Sequence, residues 1–281
     1  MPLIRDFVAG RTPPDLYETY LADGLFSPWA DVLIEAARPT DVCLDIACGT
    51  GVISRKLAEL SEVSQIQAID VAPPMIEKAI ALQKEKGLAP KVNFQVASAL
   101  DLPFEDDTFD TAICQQGLQF FPDKAAALKE AIRVLRPGGT LAVAVWTAAN
   151  DGNPVFGAFE NIVADHLGSD LVPFGPFSLG DRDEIEKIAE SANLCIDSLK
   201  RRELLTKLPD VRSFVLFDLL FLGRPGSDGS LQPVVDPEDP DGDAIIEKII
   251  DELTARTAQH MGIDGGLEAL TTAHILTFTK S

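Results

Sequence analysis

Two aspartates and two glycines at the ends of apolar stretches form the pattern in this sequence with the clearest chemical meaning. Asp45 lies in VCLDIACGTG, just ahead of Gly49 and Gly51, and Asp70 ends the stretch QIQAID, nineteen positions after Gly51. Glycines let the backbone approach a ligand without a Cβ in between, and an acid at the position of Asp70 can accept hydrogen bonds from ribose hydroxyls. The pattern therefore predicts a nucleoside-binding site.

The charge of Asp45 discriminates between nucleoside cofactors. Gly49-x-Gly51-x-x-Ser54 is a broken version of the dinucleotide fingerprint, which is a weak indication when it stands alone. A pyrophosphate in this loop would lie near Asp45, and unit charges about 4 Å apart repel by about 4 kcal/mol at an effective dielectric of about 20. S-adenosylmethionine (SAM) has an ammonium group, a sulfonium and no phosphate, so the loop favours SAM. A nicotinamide-dependent oxidoreductase is the less favoured alternative.

These residues need a frame that brings strand ends together, and the chain alternates strands with helices from residue 41 onward. The predicted strands are VCLDIA, QIQAID, KVNFQVA, TAICQQG and TLAVAVW, separated by helices such as VISRKLAEL, PPMIEKAIALQKEKG and DKAAALKEAIRVLRPGG. Near-continuous apolar strands indicate a parallel sheet covered on both faces, and right-handed crossovers give a doubly wound α/β fold. In such a fold the ligand lies beyond the carboxyl ends of the strands, where Asp45 and Asp70 are expected.

Three regions are predicted along the chain. Residues 1–40 form an N-terminal helical cap, in which Ser27 is expected to cap the helix SPWADVLIEAA. Residues 41–147 form the cofactor-binding core, and residues 148–281 complete the sheet with CIDSLKRRELLTKL and LTTAHILTFTK. The apolar and amphipathic segments around residues 209–265 predict a helical lid over the substrate. A core helix or a dimer helix explains these segments equally well, so a homodimer stays open.

Composition and charge exclude several classes of function. The 281 residues include 24 Lys and Arg against 44 Asp and Glu, a net charge of −20, and such a chain repels nucleic-acid phosphates and anionic membrane surfaces. No stretch approaches the roughly 20 apolar residues that span a bilayer, and the N-terminus lacks the layout of a secretory signal. We therefore expect a cytoplasmic protein with a small-molecule substrate, no nucleic-acid partner and no membrane insertion.

No metal site is expected. The four cysteines, which show neither metal-ligand spacing nor a disulfide framework and are expected to be reduced and mostly buried, are Cys43, Cys48, Cys114 and Cys195. The acidic segment RPGSDGSLQPVVDPEDPDGD fails as a calcium loop, because Gly242 at the invariant glycine puts Pro237 and Lys248 at ligand positions. A solvated, mobile loop is the better interpretation of this segment.

Five segments in this order resemble the class I SAM-dependent methyltransferases: VCLDIACGTG, AIDVAPPM, ASALDLPF, FDTAICQQGLQFFPD and RVLRPGGTLAVAVW. The most similar branch is the small-molecule group of methyltransferase type 11, which includes ubiquinone- and menaquinone-biosynthesis enzymes. The resemblance covers residues 15–147 well and the helix SLGDRDEIEKIAESANL more loosely. It implies a Rossmann-like seven-stranded sheet and SAM as the cofactor, with S-adenosyl-L-homocysteine as its product, and it does not specify the substrate.

The resemblance also implies which residues contact the cofactor. They are Asp45, Ala47, Gly49 and Gly51 around the methionine and ribose, Asp70 on the ribose, Val71, Met75, Ser98, Ala99 and Leu100 around the adenine, and the backbone of Gln115 at the ammonium. The family usually has an acid at the position of Ser98. A serine hydroxyl accepts the hydrogen bond of the adenine amino group more weakly than a charged carboxylate.

The methyl acceptor is expected beside the end of the fourth strand. The candidate wall residues are Tyr20, Phe26, Trp29, Gln116, Gln119, Phe120 and Trp146. An aromatic core explains the aromatic members equally well, and otherwise they indicate a small, largely hydrophobic acceptor.

Methyl transfer by in-line displacement requires mainly positioning, so no catalytic base is nominated. The three histidines, His166, His260 and His274, are interpreted as structural or surface residues. A SAM-fold enzyme that catalyses cyclisation without methyl transfer is an alternative.

Overall fold

The strands at the centre of the sheet are largely buried, whereas the two strands at its edges expose polar residues. The computed structural model describes residues 3–87, 91–168, 175–225, 231–234 and 240–281. Its strands are β1 (Asp41–Ile46), β2 (Val63–Asp70), β3 (Val92–Val96), β4 (Phe109–Gln115), β5 (Leu135–Trp146), β6 (Ser198–Leu208), β7 (Gly223–Pro225), β8 (Leu231–Pro233) and β9 (Leu267–Thr279). Seven of them form one sheet in the order β3-β2-β1-β4-β5-β9-β6. The predicted seven-stranded α/β sheet is therefore confirmed.

The strand order reverses at the centre of this sheet. The chain runs outward from β1 through β2 to β3 and then returns to β4 on the other side of β1. β1 pairs in parallel with both β2 and β4, so that Asp45 lies opposite Ala68 on one side and Ile113 on the other. Strand β9 runs antiparallel to β5 and pairs Ala273 with Trp146. The reversal opens a crevice at the carboxyl ends of β1 and β4, where ligands bind in doubly wound folds.

The helices follow the predicted alternation closely. They are α1 (Leu3–Val8), α2 (Pro13–Tyr17), α3 (Ser27–Ala37), α4 (Val52–Glu59), α5 (Pro73–Glu85), α6 (Lys124–Val134), α7 (Pro154–Leu167), α8 (Arg182–Ser191), α9 (Val211–Phe221) and α10 (Pro240–Arg256). Two helices begin at a capping aspartate: the Asp123 carboxylate accepts from the N–H of Ala126 at 2.8 Å, and the Asp181 carboxylate accepts from the N–H groups of Asp183 and Glu184. These side chains satisfy N–H groups that have no partner within the helix.

The prediction that Ser27 caps a helix is wrong. A π-helix over Glu18–Phe26 runs directly into α3, Phe26 occupies the cap position, and no side chain forms a capping hydrogen bond there. Because the preceding turn already continues the helical path, the first N–H groups of α3 need no serine. The signal for a helix start, Ser27 followed by Pro28, was a local one and could not reveal the helical segment before it.

The acidic segment after α9 is more ordered than the loop interpretation allows. Residues 223–225 pair with residues 231–233 as the short antiparallel strands β7 and β8, and α10 begins at Pro240, so that Gly242 and Lys248 lie within a helix. The remaining parts of the segment, residues 226–230 and 235–239, lie outside the described residues. The loop prediction is therefore wrong for the strands and for the beginning of α10.

The chain divides into two compact units. The first comprises residues 1–25, 147–178 and 203–272, and the second comprises residues 26–146, 179–202 and 273–281. In the first unit, Phe214 makes edge contacts with Phe156 and Phe159, with ring centroids 5.2 and 5.4 Å apart. In the second unit, the core beside the sheet is built around fully buried side chains such as Phe109 and Phe278. This division does not test the lid role predicted for residues 209–265, which stays a prediction.

The cysteine prediction is confirmed, since Cys43, Cys48 and Cys114 are buried free thiols and Cys195 is an exposed one. Burial raises the pKa of the Cys43 and Cys114 thiols to about 12, so they pack as neutral apolar groups at neutral pH. Across the described ranges, no cluster of His, Cys, Asp or Glu could hold a metal ion. None of the helices in those ranges has the length and apolar content required to cross a membrane.

The turn after β4 packs directly against the loop after β1. A Cβ at Gly117 would lie 2.7 Å from the Cβ of Ala47 and 3.0 Å from the Sγ of Cys114. The φ angle of Gly117 is −101°, which any residue can adopt, so the need for glycine here is steric. The turn after β4 can therefore approach the loop after β1 this closely only because residue 117 has no side chain.

We expect Gly117→Ala to destabilise the protein by about 1–3 kcal/mol, because an added methyl overpacks a closed contact. Ala47→Gly in the same chain should recover part of this loss, since it removes the colliding methyl. Urea denaturation of the four proteins of the double-mutant cycle measures the coupling. Gly175→Ala is the control, because a Cβ there meets nothing within 4 Å. Strictly additive losses at positions 47 and 117 would contradict the contact.

Candidate functional site

The loop after β1 is tied to the end of β2 by backbone and side-chain hydrogen bonds. The N–H of Cys48 donates to the carbonyl of Ile69 at 2.8 Å, and the N–H of Gly49 donates to Oδ2 of Asp70 at 2.9 Å. The other oxygen of Asp70 accepts from the N–H of Ala72 at 2.9 Å. Asp70 therefore holds the loop after β1 and the turn after β2 in one arrangement.

Three residues of this loop have left-handed backbone conformations. The φ angles are 55° at Ala47, 55° at Gly49 and 87° at Gly51. Glycine adopts this region without strain, whereas alanine pays for it with a Cβ clash of about 1–2 kcal/mol. A Cβ at Gly51 would also lie 3.0 Å from the ring of Phe94. The glycines thus form a tight turn after β1, and their predicted close contact with a ligand stays a prediction.

Asp45 is buried at the centre of this arrangement and has a partner that the sequence analysis missed. It is 1% exposed, and its Oδ2 accepts from the N–H of Ser54 at 3.0 Å and from the Ser54 hydroxyl at 2.5 Å. Ser54 lies in the first turn of α4, whose N-cap is Gly51 and has no side-chain acceptor of its own. Asp45 thus satisfies an N–H group at the start of α4 across nine residues of sequence.

Burial dominates the electrostatics of Asp45. It raises the pKa of this carboxyl from 3.8 to about 7, with a smaller contribution from the negative charge of Asp70, while the hydrogen bonds from Ser54 oppose the rise. At neutral pH the ionised form is therefore costly unless a positive charge comes close. A positive charge placed beside this carboxyl would offset that cost.

The predicted adenine side of the site lies at the ends of β2 and β3. Val71 is 73% exposed, an unusual condition for an apolar side chain at a strand end, and Met75 is partly buried on the first turn of α5. The Ser98 hydroxyl accepts from the N–H of Leu100 at 3.1 Å, which leaves its proton and one lone pair for a ligand. Ala99 packs against the core of the second unit.

The carboxyl end of β4 carries two buried amides. Gln116 is 5% exposed and Gln119 is 4% exposed, and within the described part of the chain neither side-chain amide has a hydrogen-bond partner for its nitrogen or its oxygen. Gln116 also has a φ of 53°, an uncommon conformation for a residue with a side chain. Gln115 instead has a partner, since its amide donates to the carbonyl of Phe26 at 2.8 Å.

The predicted aromatic wall divides into packed and exposed members. Trp29 and Trp146 are almost fully buried and meet edge to face with ring centroids 5.5 Å apart, and Phe26 lies 6.3 Å from Trp146. Phe120 is 57% exposed. Tyr20 lies in the first unit, where it stacks on Phe7. The core interpretation therefore describes the two tryptophans well, while Phe120 is free of the core.

Sequence reasoning also missed Thr50, whose hydroxyl is buried and has no hydrogen-bond partner among the described residues. Its position between the two loop glycines was the available signal.

The three histidines do not take part in this arrangement. His166 contacts Glu252 at 3.0 Å in the first unit, and His274 contacts the carbonyl of Gly180 at 3.1 Å in the second. His260 lies in a single 3-10 turn after α10. The structure thus gives two of the histidines partners of their own, away from the β1 loop.

Comparison with known proteins agrees with this arrangement of strands and loops. The family model of a methyltransferase domain matches residues 44–143. An uncharacterised protein of Mycobacterium tuberculosis is 37% identical over 129 residues, which are 45% of this chain and 46% of that protein. The chain therefore spans about half the length of this mycobacterial relative.

A second relative and a solved structure extend the similarity along the chain. A 2-phytyl-1,4-naphtoquinone methyltransferase of Trichormus variabilis is 31% identical over 180 residues, covering 63% of this chain and 76% of the relative. The YcgJ protein of Bacillus subtilis shares the fold with a TM-score of 0.54 at 19% identity, over 90% of this chain and 98% of that one. The Trichormus methyltransferase is 31% identical and is matched over 76% of its length. The chain therefore belongs to the class I SAM-dependent methyltransferases, a family defined by SAM as its cofactor.

Proposed function

We propose that this protein binds SAM at the carboxyl ends of β1 and β2 and transfers its methyl group to a small-molecule acceptor. The observation that carries the proposal is the arrangement of Asp45 and Asp70 around a left-handed glycine loop, with Asp70 bonded to the N–H of Gly49. The quinone methyltransferase among the relatives supports a small-molecule acceptor. The strong negative charge, −20 over the chain, argues against a nucleic-acid acceptor.

The loop residues fit SAM better than a dinucleotide. Both hydrogen bonds to Asp45 fall on Oδ2, which leaves Oδ1 available to the ammonium group of SAM. Asp70 still has acceptor capacity for the ribose hydroxyls after its two bonds to backbone N–H groups. Thr50 offers a buried hydroxyl without a partner among the described residues, and the exposed side chain of Val71 offers an apolar surface for the adenine.

When bound, SAM supplies a methyl group that its sulfonium has already activated toward in-line displacement. The residues of the chain then need only to orient the acceptor and exclude water, which accounts for much of the rate in such reactions. The packed aromatic group of Phe26, Trp29 and Trp146 provides a rigid apolar support close to the end of β5. No side chain of the site is required as a base unless the acceptor must lose a proton.

The buried amides of Gln116 and Gln119 refine the acceptor class. A buried polar group without a partner costs about 1–3 kcal/mol, and these two residues leave four such atoms buried. An acceptor with a carbonyl and a hydroxyl would satisfy an amide nitrogen and an amide oxygen. We therefore propose an apolar molecule with such polar functions, as in a quinone or quinol, instead of a purely hydrophobic one.

We expect Asp70→Asn to weaken SAM binding at least about tenfold, or about 1.4 kcal/mol. The amide must point its NH₂ group toward the N–H of Gly49 or the N–H of Ala72, and either contact sets donor against donor. Calorimetric titration of SAM measures the loss, and circular dichroism checks the fold. Glu59→Gln, an exposed acid on α4, is the matched control for charge. Wild-type affinity in a folded Asp70→Asn protein would contradict the placement of the ribose.

Asp45 predicts a pH dependence of SAM binding with a definite sign. Because the pKa of its carboxyl in the folded protein is about 7 and the ordinary value is 3.8, the folded protein holds this proton more tightly than the unfolded chain does. Its ionisation therefore lowers stability progressively as the pH rises from about 4 through 7. A bound ammonium group stabilises the ionised carboxylate and so lowers the pKa of Asp45 in the complex. Because the free protein must ionise this carboxyl to bind SAM, SAM affinity should rise about tenfold between pH 6 and pH 8.

Asp45→Asn should abolish this pH dependence and weaken SAM binding at pH 8, while the amide oxygen still accepts from the N–H of Ser54. Titrations of both proteins at pH 6, 7 and 8 test this, with thermal unfolding without SAM as the second measurement. The wild-type melting temperature should fall relative to that of Asp45→Asn as the pH rises. Parallel pH profiles for the two proteins would refute the role of Asp45 as the partner of the ammonium.

The buried amides give a prediction that separates acceptor binding from cofactor binding. Gln116→Met and Gln119→Met should each raise the free energy of unfolding by about 1 kcal/mol, because an unpaired amide is replaced by an apolar side chain of similar shape. SAM affinity should stay unchanged. Transfer of labelled methyl from SAM to acceptors in a metabolite extract should fall at least about tenfold.

Denaturant unfolding, SAM titration and labelled-methyl incorporation measure these three quantities on the same samples. Conversion of an acceptor without labelled product and without release of S-adenosylhomocysteine would favour the cyclisation alternative, because SAM that keeps its methyl group cannot become S-adenosylhomocysteine. A loss of stability in both Met variants would show that the amides are satisfied in the free protein and have no acceptor to bind.

A further inference from the structure

The first unit contains a groove between α7, α9 and residues 175–178 that the proposed function does not use. It consists of two neighbouring cavities of about 30 and 130 Å³. Glu160, Gly175 and Phe177 line both of them. The smaller cavity has room for a group about the size of one or two waters, such as an ammonium, and the larger cavity has room for several times as much.

The smaller cavity is apolar except for two carboxyl groups. Its aromatic wall consists of Phe156, Phe159 and Phe177, and its acidic residues are Glu160 from α7 and Asp218 from α9. The rings of Phe156 and Phe177 lie 4.8 Å apart between centroids. Two carboxyl groups thus sit within a predominantly aromatic surface.

Asp218 is the more unusual of the two acids. Although the residue as a whole is only partly buried, its Oδ2 is wholly removed from solvent and has no hydrogen-bond partner among the described residues. Burial raises the pKa of the Asp218 carboxyl to about 8, and burial also raises the pKa of Glu160. A buried carboxylate without a partner is expensive, so each acid favours a cation nearby.

No residue of the groove lining is basic. Two basic residues on the helices beside it have other partners: Arg212 on α9 donates to Glu247 on α10, and His166 on α7 contacts Glu252 on α10. The compensating positive charge must therefore come from outside the described part of the protein.

We propose that this groove binds a ligand with a protonated amine on an apolar, preferably aromatic, body. The ammonium donates to the carboxylates of Asp218 and Glu160, and the faces of Phe156, Phe159 and Phe177 hold the body and stabilise the positive charge. The larger cavity beside Glu160, which is lined in part by Ala148 and Ala149, accommodates the rest of the molecule. This proposal does not depend on SAM binding or methyl transfer, because every residue in it belongs to the first unit.

Calorimetric titration of the full chain with benzylamine, benzyl alcohol and benzoate tests the proposal. The three probes share a ring and differ in charge. We expect benzylamine to bind at least about tenfold more tightly than benzyl alcohol, and benzoate not to bind. Equal affinities for benzylamine and benzyl alcohol, or binding of benzoate, would overturn the proposal.

Two variants and a control connect this binding to the acids. Asp218→Asn and Glu160→Gln should each weaken benzylamine binding about tenfold while leaving benzyl alcohol binding and SAM binding unchanged. Asp165→Asn removes an exposed acid from the same helix as Glu160 and should change nothing. Both variants should remain folded, because each replaces an acid with an amide of the same shape. Unchanged benzylamine affinity in both variants would refute the site.

The pH dependence distinguishes a carboxylate that binds a cation from a protonated carboxyl that donates to a neutral ligand. With the pKa of the Asp218 carboxyl about 8, benzylamine affinity should rise between pH 6 and pH 8 as the acid ionises, and benzyl alcohol affinity should not. The wild-type rise should be absent in Asp218→Asn. Affinity that falls over this range would assign the groove to neutral acceptors instead and contradict the proposal.

Discussion

The bond from the N–H of Gly49 to Asp70 is the contact on which the site depends. It joins the loop after β1 to the end of β2 at 2.9 Å, and the second oxygen of Asp70 fixes the turn that leads into α5. Apart from it, the loop with its three left-handed residues is held by the backbone bonds from Cys48 to Ile69 and from Gly51 to Cys48 and by the bond from Arg55 to the carbonyl of Thr50. The parallel pairing of β1 with β2 makes the bond possible, because it brings the carboxyl ends of both strands to the same edge.

Asp45 combines a structural and an electrostatic role in one buried carboxylate. It bonds to Ser54 in the first turn of α4, where the positive end of the helix favours an anion, and yet burial keeps its pKa near 7. The helix alone therefore does not fully compensate the charge. A cation that binds beside Asp45 therefore gains free energy, because it compensates the part of the negative charge that the helix does not. A neutral residue at position 45 could cap α4 equally well but would not attract a cation.

The sequence predicted the features that depend on local patterns and strand order. The sheet, the acid at the end of β2 and the glycine loop follow from alternation and spacing. The failures arise from contacts between distant segments. Ser27 lost its capping role to a preceding π-helix, and neither the partner of Asp45 nor the contact between Ala47 and Gly117 has a signal within one sequence window. The groove acid Asp218 lies in an apolar helix where sequence alone suggests only packing.

Buried polar groups without a hydrogen-bond partner occur in both units, but their surroundings differ. Over the described residues, buried side-chain atoms without a hydrogen-bond partner belong to Thr50, Gln116, Gln119 and Asp218. Native proteins satisfy most such groups, because each one left unpaired costs folding free energy. Three of the four lie around the ends of β1 and β4, where the acid Asp45 is already partly compensated by Ser54. The fourth, Asp218, lies in the first unit, and its buried Oδ2 has no hydrogen-bond partner in the part of the chain that the structure describes. A bound ligand can recover such a cost, and for Asp218 that ligand would carry a positive charge, because no described residue of the groove lining is basic.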